Sequence, residues 1–347
     1  MTFSTPSFEK PFINYEAMID LMQSSNIDVG DREAAVSALQ EFSYYVLING
    51  YKDTFLAIPG TDCFVPGTKF DDILTIHLID ININGAILKY ILSIENSLKS
   101  KLAYLIAEKY GVWTDRTSLQ LNNDHDYLSI SHYTKNRTLK NIAKNLMKRL
   151  KYNLNQQCRH NKTVKSKALL YYIDHHTHIP PWILMTEITF GDAISWYSVL
   201  KSEDKREICN LLISSAIKTE DKEEFLKQAL ELLRKFRNKI AHNNRTFNVS
   251  NLPVLPKWSY LALTCGTLTE EEYDNNMGKS DLYGVLNTCL LLFGTPYLGS
   301  QLINDIKYIF EPYTGQSIMG KSILSIFGLP NDIIERLETI QKSKFPQ

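Results

Sequence analysis

The sequence predicts an all-α protein, and three observations lead to this fold class. Apolar residues recur three or four positions apart through most long segments, which is the spacing of a helix face. Glycine and proline are few, with 15 and 12 among 347 residues, so positions that break helices are uncommon. A chain of this length, with 44% hydrophobic residues, can also bury a large core without disulfides.

Three helices are predicted in the first third of the chain. The first covers residues 31–49 and the second covers 70–83, with a loop between them whose Pro-Gly pairs are typical of turns. The third, over 84–108, has one continuous apolar stripe and is followed by Gly111, a residue type that commonly ends helices. The stripe consists of Ile87, Tyr90, Ile91, Ile94, Leu98, Leu102, Leu105 and Ile106.

Further helices are predicted after Pro180 and Pro181, since prolines are tolerated in a first helical turn. The strongest pattern covers 220–240, where acidic residues crowd the first turn and six apolar residues share one stripe. The segment after residue 251 is looser, with two prolines and an acidic stretch. The remaining predicted helices are 182–200, 203–217, 282–292, 299–310 and 332–341.

Residues 127–173 form a strongly basic segment in a chain whose net charge is zero. These 47 residues contain eleven Lys or Arg and no Asp or Glu, which is a local charge of +11. The rest of the chain holds 27 basic against 38 acidic residues, or −11. Overall neutrality would argue against a nucleic-acid binder, but it is the sum of two opposed parts. The segment is typical of a polyanion-binding surface and does not distinguish RNA from DNA.

Inside this basic segment we predict a helix with one apolar face and one positive face. The apolar stripe is Leu139, Ile142, Ala143, Leu146 and Leu150. The predicted RNA-binding side chains are Lys140, Lys144, Lys148, Arg149 and Lys151. Nearby rings on which unpaired bases would stack are Tyr127, His132, Tyr133 and Tyr152. The alternative is a solvated helix face that pairs with the acidic remainder of the same protein.

The candidate catalytic residues are Arg237, Asn238 and His242, at the end of the strongest helix. Asn238 and His242 are four positions apart and share a helix face, whereas Arg237 lies about 140° from His242 on the flank. His242 falls where the helix is expected to end, because Asn243 or Asn244 can adopt the left-handed conformation that terminates helices. Taken alone, this spacing also arises by chance, and a helix-terminal histidine is often only a capping residue.

Such a trio suits metal-independent cleavage of RNA. RNA carries its own nucleophile in the 2′-OH, so an enzyme needs only a proton carrier of near-neutral pKa and a fixed cation for the crowded phosphate. In this scheme His242 moves the proton and Arg237 binds the scissile phosphate, while Asn238 orients the imidazole or hydrogen-bonds the phosphate. The expected product ends are a 2′,3′-cyclic phosphate and a 5′-OH.

Other kinds of site have little support in the sequence. The five cysteines are widely spaced without a C-x-x-C, which fits a reducing cytoplasm, and ATPase, zinc-protease and hydrolase motifs are absent. The cluster His175, His176 and His178 cannot surround one tetrahedral ion from a regular helix, so we expect a loop there and no metal or cofactor. With neither a leader pattern nor an apolar run approaching 18 residues, a cytoplasmic protein without membrane segments is expected.

Three segments, in order along the chain, together carry a family resemblance. They are ILSIENSLKSKLAYLIAEKYG, PPWILMTEITFGDAISWYSVL and RNKIAHNNR. With NYEAMIDLMQSSNIDVGDREAAVSALQEFSYYVLINGY near the start, and more weakly GLPNDIIERL near the end, they resemble the Abi-like abortive-infection proteins of bacteria. These form the AbiD/AbiF group of the HEPN superfamily. The resemblance runs from about Tyr15 to Arg245.

The resemblance implies an all-α HEPN core, an Arg-x4–6-His ribonuclease motif and a role in phage defence or a toxin–antitoxin system. The motif falls on Arg237, Asn238 and His242. Arg245 matches a basic residue that often follows the motif and is expected to bind RNA. Glu95 matches a recurrent acidic position of the family. The regions expected are an N-terminal helical region over 1–84, a HEPN-like core over 85–250 with the basic insertion at 127–173, and C-terminal helices over 251–347.

The resemblance also implies partners. HEPN ribonucleases generally build one site from two facing motifs, and this chain has a single Arg-x4–6-His, so a homodimer with a composite site is expected. RNA is the other expected partner, as substrate and as a regulatory non-coding RNA docked on the basic insertion. The alternative function is a non-catalytic RNA-binding scaffold that holds a structured regulatory RNA.

Overall fold

The structure is a computed structural model that describes residues 12–158, 166–213, 219–242 and 244–346. It confirms the all-α prediction, because helices account for nearly all of its regular structure. The α-helices are α1 (Tyr15–Ser24), α2 (Arg32–Phe42), α3 (Phe70–Tyr110), α4 (Arg137–Cys158), α5 (Lys167–His175), α6 (Pro181–Glu187), α7 (Phe190–Val199), α8 (Ser202–Leu212), α9 (Thr219–Ala241), α10 (Lys257–Leu263), α11 (Glu270–Asp274), α12 (Leu282–Leu292), α13 (Pro296–Phe310), α14 (Ile323–Ile326) and α15 (Ile333–Lys344).

Two very short sheets accompany the helices. Strands β1 (Ile27–Asp28) and β2 (Thr68–Lys69) are parallel, with Ile27 opposite Thr68. Strands β3 (Ser317–Ile318) and β4 (Lys321–Ser322) are antiparallel, with Ser317 opposite Ser322. Each strand has only two residues, so these sheets align neighbouring loops and do not form a layer of their own.

The chain divides into two compact units. The first contains the residues up to Gly85 together with Lys307–Asn331, and the second contains Ala86–Ile306 together with the residues from Asp332 onward. The C-terminal region expected over 251–347 is therefore shared between both units. Every residue of the candidate site belongs to the second unit.

The first unit is built on helices α1 and α2 and the N-terminal part of α3. Asn14 and Asp31 begin α1 and α2 as caps, accepting hydrogen bonds from amides of the first helical turn. A buried polar group joins Tyr51 to the N-terminal part of α3: the Tyr51 hydroxyl donates to Asp80 at 2.8 Å and lies 3.0 Å from Nδ1 of His77. Burial lowers the pKa of His77.

Helix α9 is the centre of the second unit. It contacts α7, α8, α10 and α12, and its apolar stripe is fully buried, as the 220–240 pattern predicts. The buried side chains are Phe225, Leu226, Ala229, Leu230, Leu232, Leu233, Phe236 and Ile240. Helix α4 lies on α7, and α12, in which all eleven residues are buried, lies between α9 and α15. The end of α9 that carries the candidate site is thus held by a buried apolar stripe packed against four helices.

Several helix boundaries differ from the sequence-based expectation. The helices expected over 70–83 and 84–108 are one continuous helix of 41 residues, α3, because Gly85 keeps helical geometry. The helix expected over 31–49 stops at Phe42, where Ser43 adopts a φ of 63°, and continues as a short π-helical turn, Tyr45–Asn49. The helix expected over 203–217 ends at Leu212, and residues 214–217 lie outside the described part.

The segment expected as one helix over 182–200 is divided into α6 and α7. Ile188 has an extended backbone, and Thr189 then begins a new helix through a capping box with Asp192. Proline at the start of α6 is tolerated as predicted, since that amide has no partner within the helix. The break exposes the Ile188 carbonyl to another partner, which becomes important for the site.

Among the residues that the structure describes, no helix combines the length and the apolar character needed to cross a bilayer.

Substitution by alanine should have opposite effects on stability at two glycines, Gly85 within α3 and Gly111 directly after it. Gly111, just past the helix, has a φ of 84°, whereas Gly85 is helical, and an added Cβ would meet no atom within 4 Å at either position. We expect Gly111→Ala to lower the free energy of unfolding by about 1–2 kcal/mol, because L-residues are strained at positive φ. Gly85→Ala should raise it by about 0.5–1 kcal/mol. Urea unfolding measures both, and the same sign for the two variants would contradict this account.

Candidate functional site

The candidate site forms where the end of α9 lies beside the middle of α3. Nη2 of Arg237 is 3.8 Å from Oε2 of Glu95, and Nη1 of Arg237 donates to the side-chain oxygen of Asn238 at 3.1 Å. The neighbours of these residues along each helix, such as Phe236 and Ile94, are buried. Packing of the apolar stripes therefore sets the approach of the guanidinium to the carboxylate.

Glu95 also forms a tight ion pair with Lys99, one turn further along α3. Nζ of Lys99 is 2.7 Å from Oε1 of Glu95 and donates to the Ile188 carbonyl at 2.7 Å. The two side chains are only 14% and 8% exposed, so both charges need these partners. The pair ties α3 to the junction of α6 and α7.

The Glu95 carboxylate is positioned to orient Arg237. Its Oε2 is buried and makes no hydrogen bond within the described residues, so the nearby guanidinium is its main favourable interaction. The Arg237 side chain remains 34% exposed. One side of the guanidinium is therefore held by Glu95 and Asn238, while the rest of this fork of N–H donors is open to an anion from solvent.

His242 directly follows the last residue of α9, as predicted from the sequence. Its backbone amide donates to the Lys239 carbonyl at 3.1 Å, and Asn244 donates to the same carbonyl through its amide and its side chain. This closes the helix end, while the imidazole is exposed and makes no hydrogen bond within the described residues. Asn243 lies outside the described part. The structure thus brings Arg237, Asn238 and Glu95 together and leaves His242 exposed next to them in sequence.

The basic helix α4 has the two-faced character that the sequence predicts. Lys140, Lys144 and Lys148 are all exposed along one side, and Ala143, Leu146 and Leu150 are buried on the other. The predicted stripe is wrong at Ile142, which is exposed. Arg149 is exposed but paired with Asp192, the capping-box partner of Thr189 in the first turn of α7, and this pair joins α4 to α7.

The prediction that Lys151 binds RNA is wrong. Its side chain is 1% exposed and lies 2.6 Å from an equally buried carboxylate, Asp126, and it also donates to the Gln120 carbonyl at 2.6 Å. A cation this deeply buried cannot reach a phosphate. Lys151 instead fastens α4 onto the preceding loop.

The aromatic residues of the basic segment are also mostly structural. Tyr127 and Tyr133 are buried, and their hydroxyls donate to the Ile179 and Tyr127 carbonyls, so the prediction that bases stack on them is wrong. His132 stacks on Tyr110 at 4.6 Å between ring centroids. Tyr152 is exposed and remains available for stacking.

Arg245 and the histidine cluster complete the predicted residues. Arg245 is half-buried, with its guanidinium 5.7 Å from the ring centroid of Phe247. His175 ends α5 and stacks on Tyr171. Within the described ranges, no group of three or more His, Cys, Asp or Glu side chains is placed to hold a metal ion. Three further basic residues, Arg159, Lys162 and Lys165, lie outside the described part.

The residue of this site that the sequence reasoning missed is Lys99. An available signal was its position four residues after Glu95, a spacing at which Glu and Lys pair on a helix. The spacing alone describes an ordinary surface pair. Only the burial of both side chains and the contact with Ile188 make it part of the site.

Comparison with known proteins gives one finding. A family model described as Abi-like protein matches residues 37–248, more than half of the chain. The matched range contains Glu95, Arg237 and His242 as well as the whole of α4, and it begins later than Tyr15, where the resemblance was expected to start. No curated protein and no solved structure matches the chain.

Substitution of Lys151 and of Lys148 should show that the first is a structural cation and the second a surface cation. Lys151→Met leaves the buried Asp126 carboxylate without its cationic partner, and we expect a loss of about 3–5 kcal/mol in the free energy of unfolding. Lys148→Met, on the exposed face, should change it by no more than about 0.5 kcal/mol. Denaturant unfolding measures both variants, and equal stability would contradict the assignment of Lys151.

Proposed function

This chain belongs to the Abi-like protein family, and from that premise we propose that it is a metal-independent endoribonuclease. The family connects it with abortive infection, the defence in which an infected bacterium limits the spread of a phage. RNA cleavage would serve that role in a phage-defence or toxin–antitoxin system. The catalytic residues of the proposal are Arg237, Asn238 and His242.

The contact of Arg237 with Glu95 is the observation that carries this proposal. A guanidinium held by a buried carboxylate and by Asn238 is preorganised, so it loses little freedom when it binds a phosphate. An imidazole stands five residues further on, exposed at the helix end. Together they supply the fixed cation and the proton carrier that cleavage through the 2′-OH requires.

The proposed reaction is an internal displacement at phosphorus. The 2′-oxygen of the RNA forms a bond to phosphorus while the bond to the 5′-oxygen of the next nucleotide breaks. One group accepts the proton of the 2′-OH, and another donates a proton to the departing 5′-oxygen. Arg237 balances the negative charge of the crowded phosphorane, and the products carry a 2′,3′-cyclic phosphate and a 5′-OH.

The reaction needs one group that accepts a proton and another that donates one, and each chain supplies a single proposed catalytic histidine, His242. We propose a homodimer in which the motifs of two protomers face each other across one composite site. His242 of one protomer then accepts a proton while the equivalent histidine of the second protomer donates one. The exposure of His242 at the end of α9 is compatible with this arrangement.

His242→Ala is expected to lower RNA cleavage by at least about 100-fold, because general acid–base catalysis typically contributes factors of 10² to 10⁴. Cleavage of a single-stranded RNA is measured in EDTA, with analysis of the product ends. A 2′-deoxy nucleotide at the cut site should block cleavage there, since the nucleophile is then missing.

The matched control for this prediction is His176→Ala, which removes another exposed histidine outside the site. It should leave cleavage unchanged. Equal cleavage by wild type and His242→Ala would rule out the assigned role of His242, and cleavage of the 2′-deoxy substrate would rule out the proposed nucleophile.

A second candidate function is a non-catalytic scaffold for a structured regulatory RNA, favoured by the exposed lysines of α4. Three ammonium groups four positions apart give a positive strip about 12 Å long, at 1.5 Å per residue. Such a strip is suited to the phosphates of an RNA backbone and carries no sequence information by itself. Both functions coexist if a docked RNA restrains the nuclease.

Reversing the charge of Lys140, Lys144 and Lys148 to Glu together should weaken RNA binding equally for all sequences. The slope of log affinity against log salt should become shallower by about 2, since single-stranded RNA contributes about 0.7 per phosphate contact. Fluorescence anisotropy over a salt series measures the slope. The matched control reverses three other exposed lysines, Lys307, Lys321 and Lys342. An unchanged slope for the α4 variant would remove this helix from the RNA interface.

A further inference from the structure

A groove outside the Arg237 site lies between α3 and α6 in the second unit. It has a volume of about 560 Å³, within the range of small-ligand sites, and it opens to solvent. Its floor contains the buried Ala103 and Met185. The polar and aromatic side chains along its walls are Asn96, Lys99, Ser100, Tyr104, Trp182 and Thr186.

Helical spacing explains how these side chains come together. Asn96, Ser100 and Tyr104 are four positions apart on α3 and form one stripe about 12 Å long, at 1.5 Å per residue. Trp182 and Thr186 are four positions apart on α6. Each helix thus contributes one aromatic ring and at least one polar side chain to the groove.

The two rings are unusually exposed for their size. Tyr104 is 67% exposed and Trp182 is 46% exposed, although large aromatic side chains normally bury most of their surface. The Tyr104 hydroxyl donates to Glu108 at 3.3 Å, which restrains the ring. Exposed rings at the mouth of a groove are surfaces on which an unpaired base can stack, because every base has a π face.

The polar groups of the groove favour a base over a phosphate. Lys99 is its one lining cation among the described residues, and its ammonium already binds Glu95 and the Ile188 carbonyl. In contrast, the side chains of Asn96 and Ser100 are exposed, and none of the hydrogen bonds within the described part of the chain uses them. A free amide and a free hydroxyl can donate to and accept from the edge of a base.

The groove adjoins the candidate catalytic site through Lys99. This residue lines the groove and pairs with Glu95, which in turn faces Arg237. A nucleotide whose phosphate is bound by Arg237 therefore has a neighbouring place for its own base or for the next base along the strand.

We propose that this groove binds an unpaired nucleobase of single-stranded RNA, stacked against Trp182 and Tyr104 and read at its edge by Asn96 and Ser100. The proximity of this base to the cut rests on the proposed ribonuclease function, whereas the binding of the base does not. The groove is thereby the specificity subsite of the enzyme, and Arg237 and His242 act on the backbone.

The binding test uses the full chain carrying His242→Ala, so that the RNA stays intact. Trp182→Ala and Tyr104→Ala should each weaken the binding of short oligoribonucleotides on the order of tenfold, while Trp182→Phe and Tyr104→Phe keep most of the affinity. The salt slope should stay the same, because no phosphate contact is lost. The matched control is Trp258→Ala, another exposed tryptophan of the second unit, which should change nothing. Unchanged affinity in the groove variants would overturn the proposal.

A cleavage test distinguishes failure of the groove proposal from failure of the ribonuclease proposal. In the chain with His242 intact, the groove variants should raise KM and flatten the preference for the base beside the cut. If wild type cleaves RNA and the variants keep its KM and base preference, the groove proposal fails while the ribonuclease stands. If wild type does not cleave RNA but the groove variants still lose affinity, the ribonuclease fails while the groove stands.

A third measurement tests whether a second copy of this chain, and not RNA, occupies the groove. Sedimentation of wild type, Trp182→Ala and Tyr104→Ala should give the same oligomeric state if the groove faces RNA. Dissociation of a dimer by both substitutions would make the groove an interface between protomers and would overturn the proposal.

Discussion

The ion pair between Glu95 and Lys99 is the interaction on which the candidate site depends. Two charges taken out of water are stable only when each retains partners, and here the partners come from three different parts of the second unit. Lys99 reaches the carbonyl that the break between α6 and α7 leaves open, and Glu95 faces Arg237 on α9. Loss of either charge would therefore affect helix packing and the orientation of the guanidinium together, so structural and functional roles cannot be separated at this point of the molecule.

The same requirement sorts the charges of the basic segment into two classes. Lys151 and Arg149 are neutralised by Asp126 and Asp192, acidic residues that lie outside the segment in sequence but against it in space. The exposed lysines Lys140, Lys144 and Lys148 of α4 have no such partner among the described residues and keep their charge for solvent or RNA. A zero net charge is therefore compatible with a positive surface, because part of the excess is used inside the protein and part is displayed.

The proposed chemistry makes use of a contrast between burial and exposure along α9. The helix is fixed by a fully buried stripe that ends with Phe236 and Ile240. The polar residues Arg237 and Asn238 lie between these two buried positions in sequence, and His242 follows the last residue of the helix. A rigid helix positions functional side chains more accurately than a loop does. The groove between α3 and α6 extends this arrangement, since Lys99 both pairs with Glu95 and lines the groove proposed for a base.

The sequence by itself determined the helical class, most helices and the position of the Arg-Asn-His motif at a helix end. Apolar spacing and capping residues act over a few positions, so the local sequence is enough to predict the helices that depend on them. The helix Leu282–Leu292, for example, has the bounds that the sequence predicts. The boundaries within 31–49, 70–108 and 182–200 were wrong because packing or a capping box overrides weak local preferences. Only the tertiary structure decided which charges are free. Lys148 and Lys151 are equivalent in a helical pattern, yet one is exposed and the other is buried against Asp126, and the pairing of Glu95 with Arg237 joins residues far apart in the chain. Burial and long-range pairing depend on how helices pack, which periodicity does not encode.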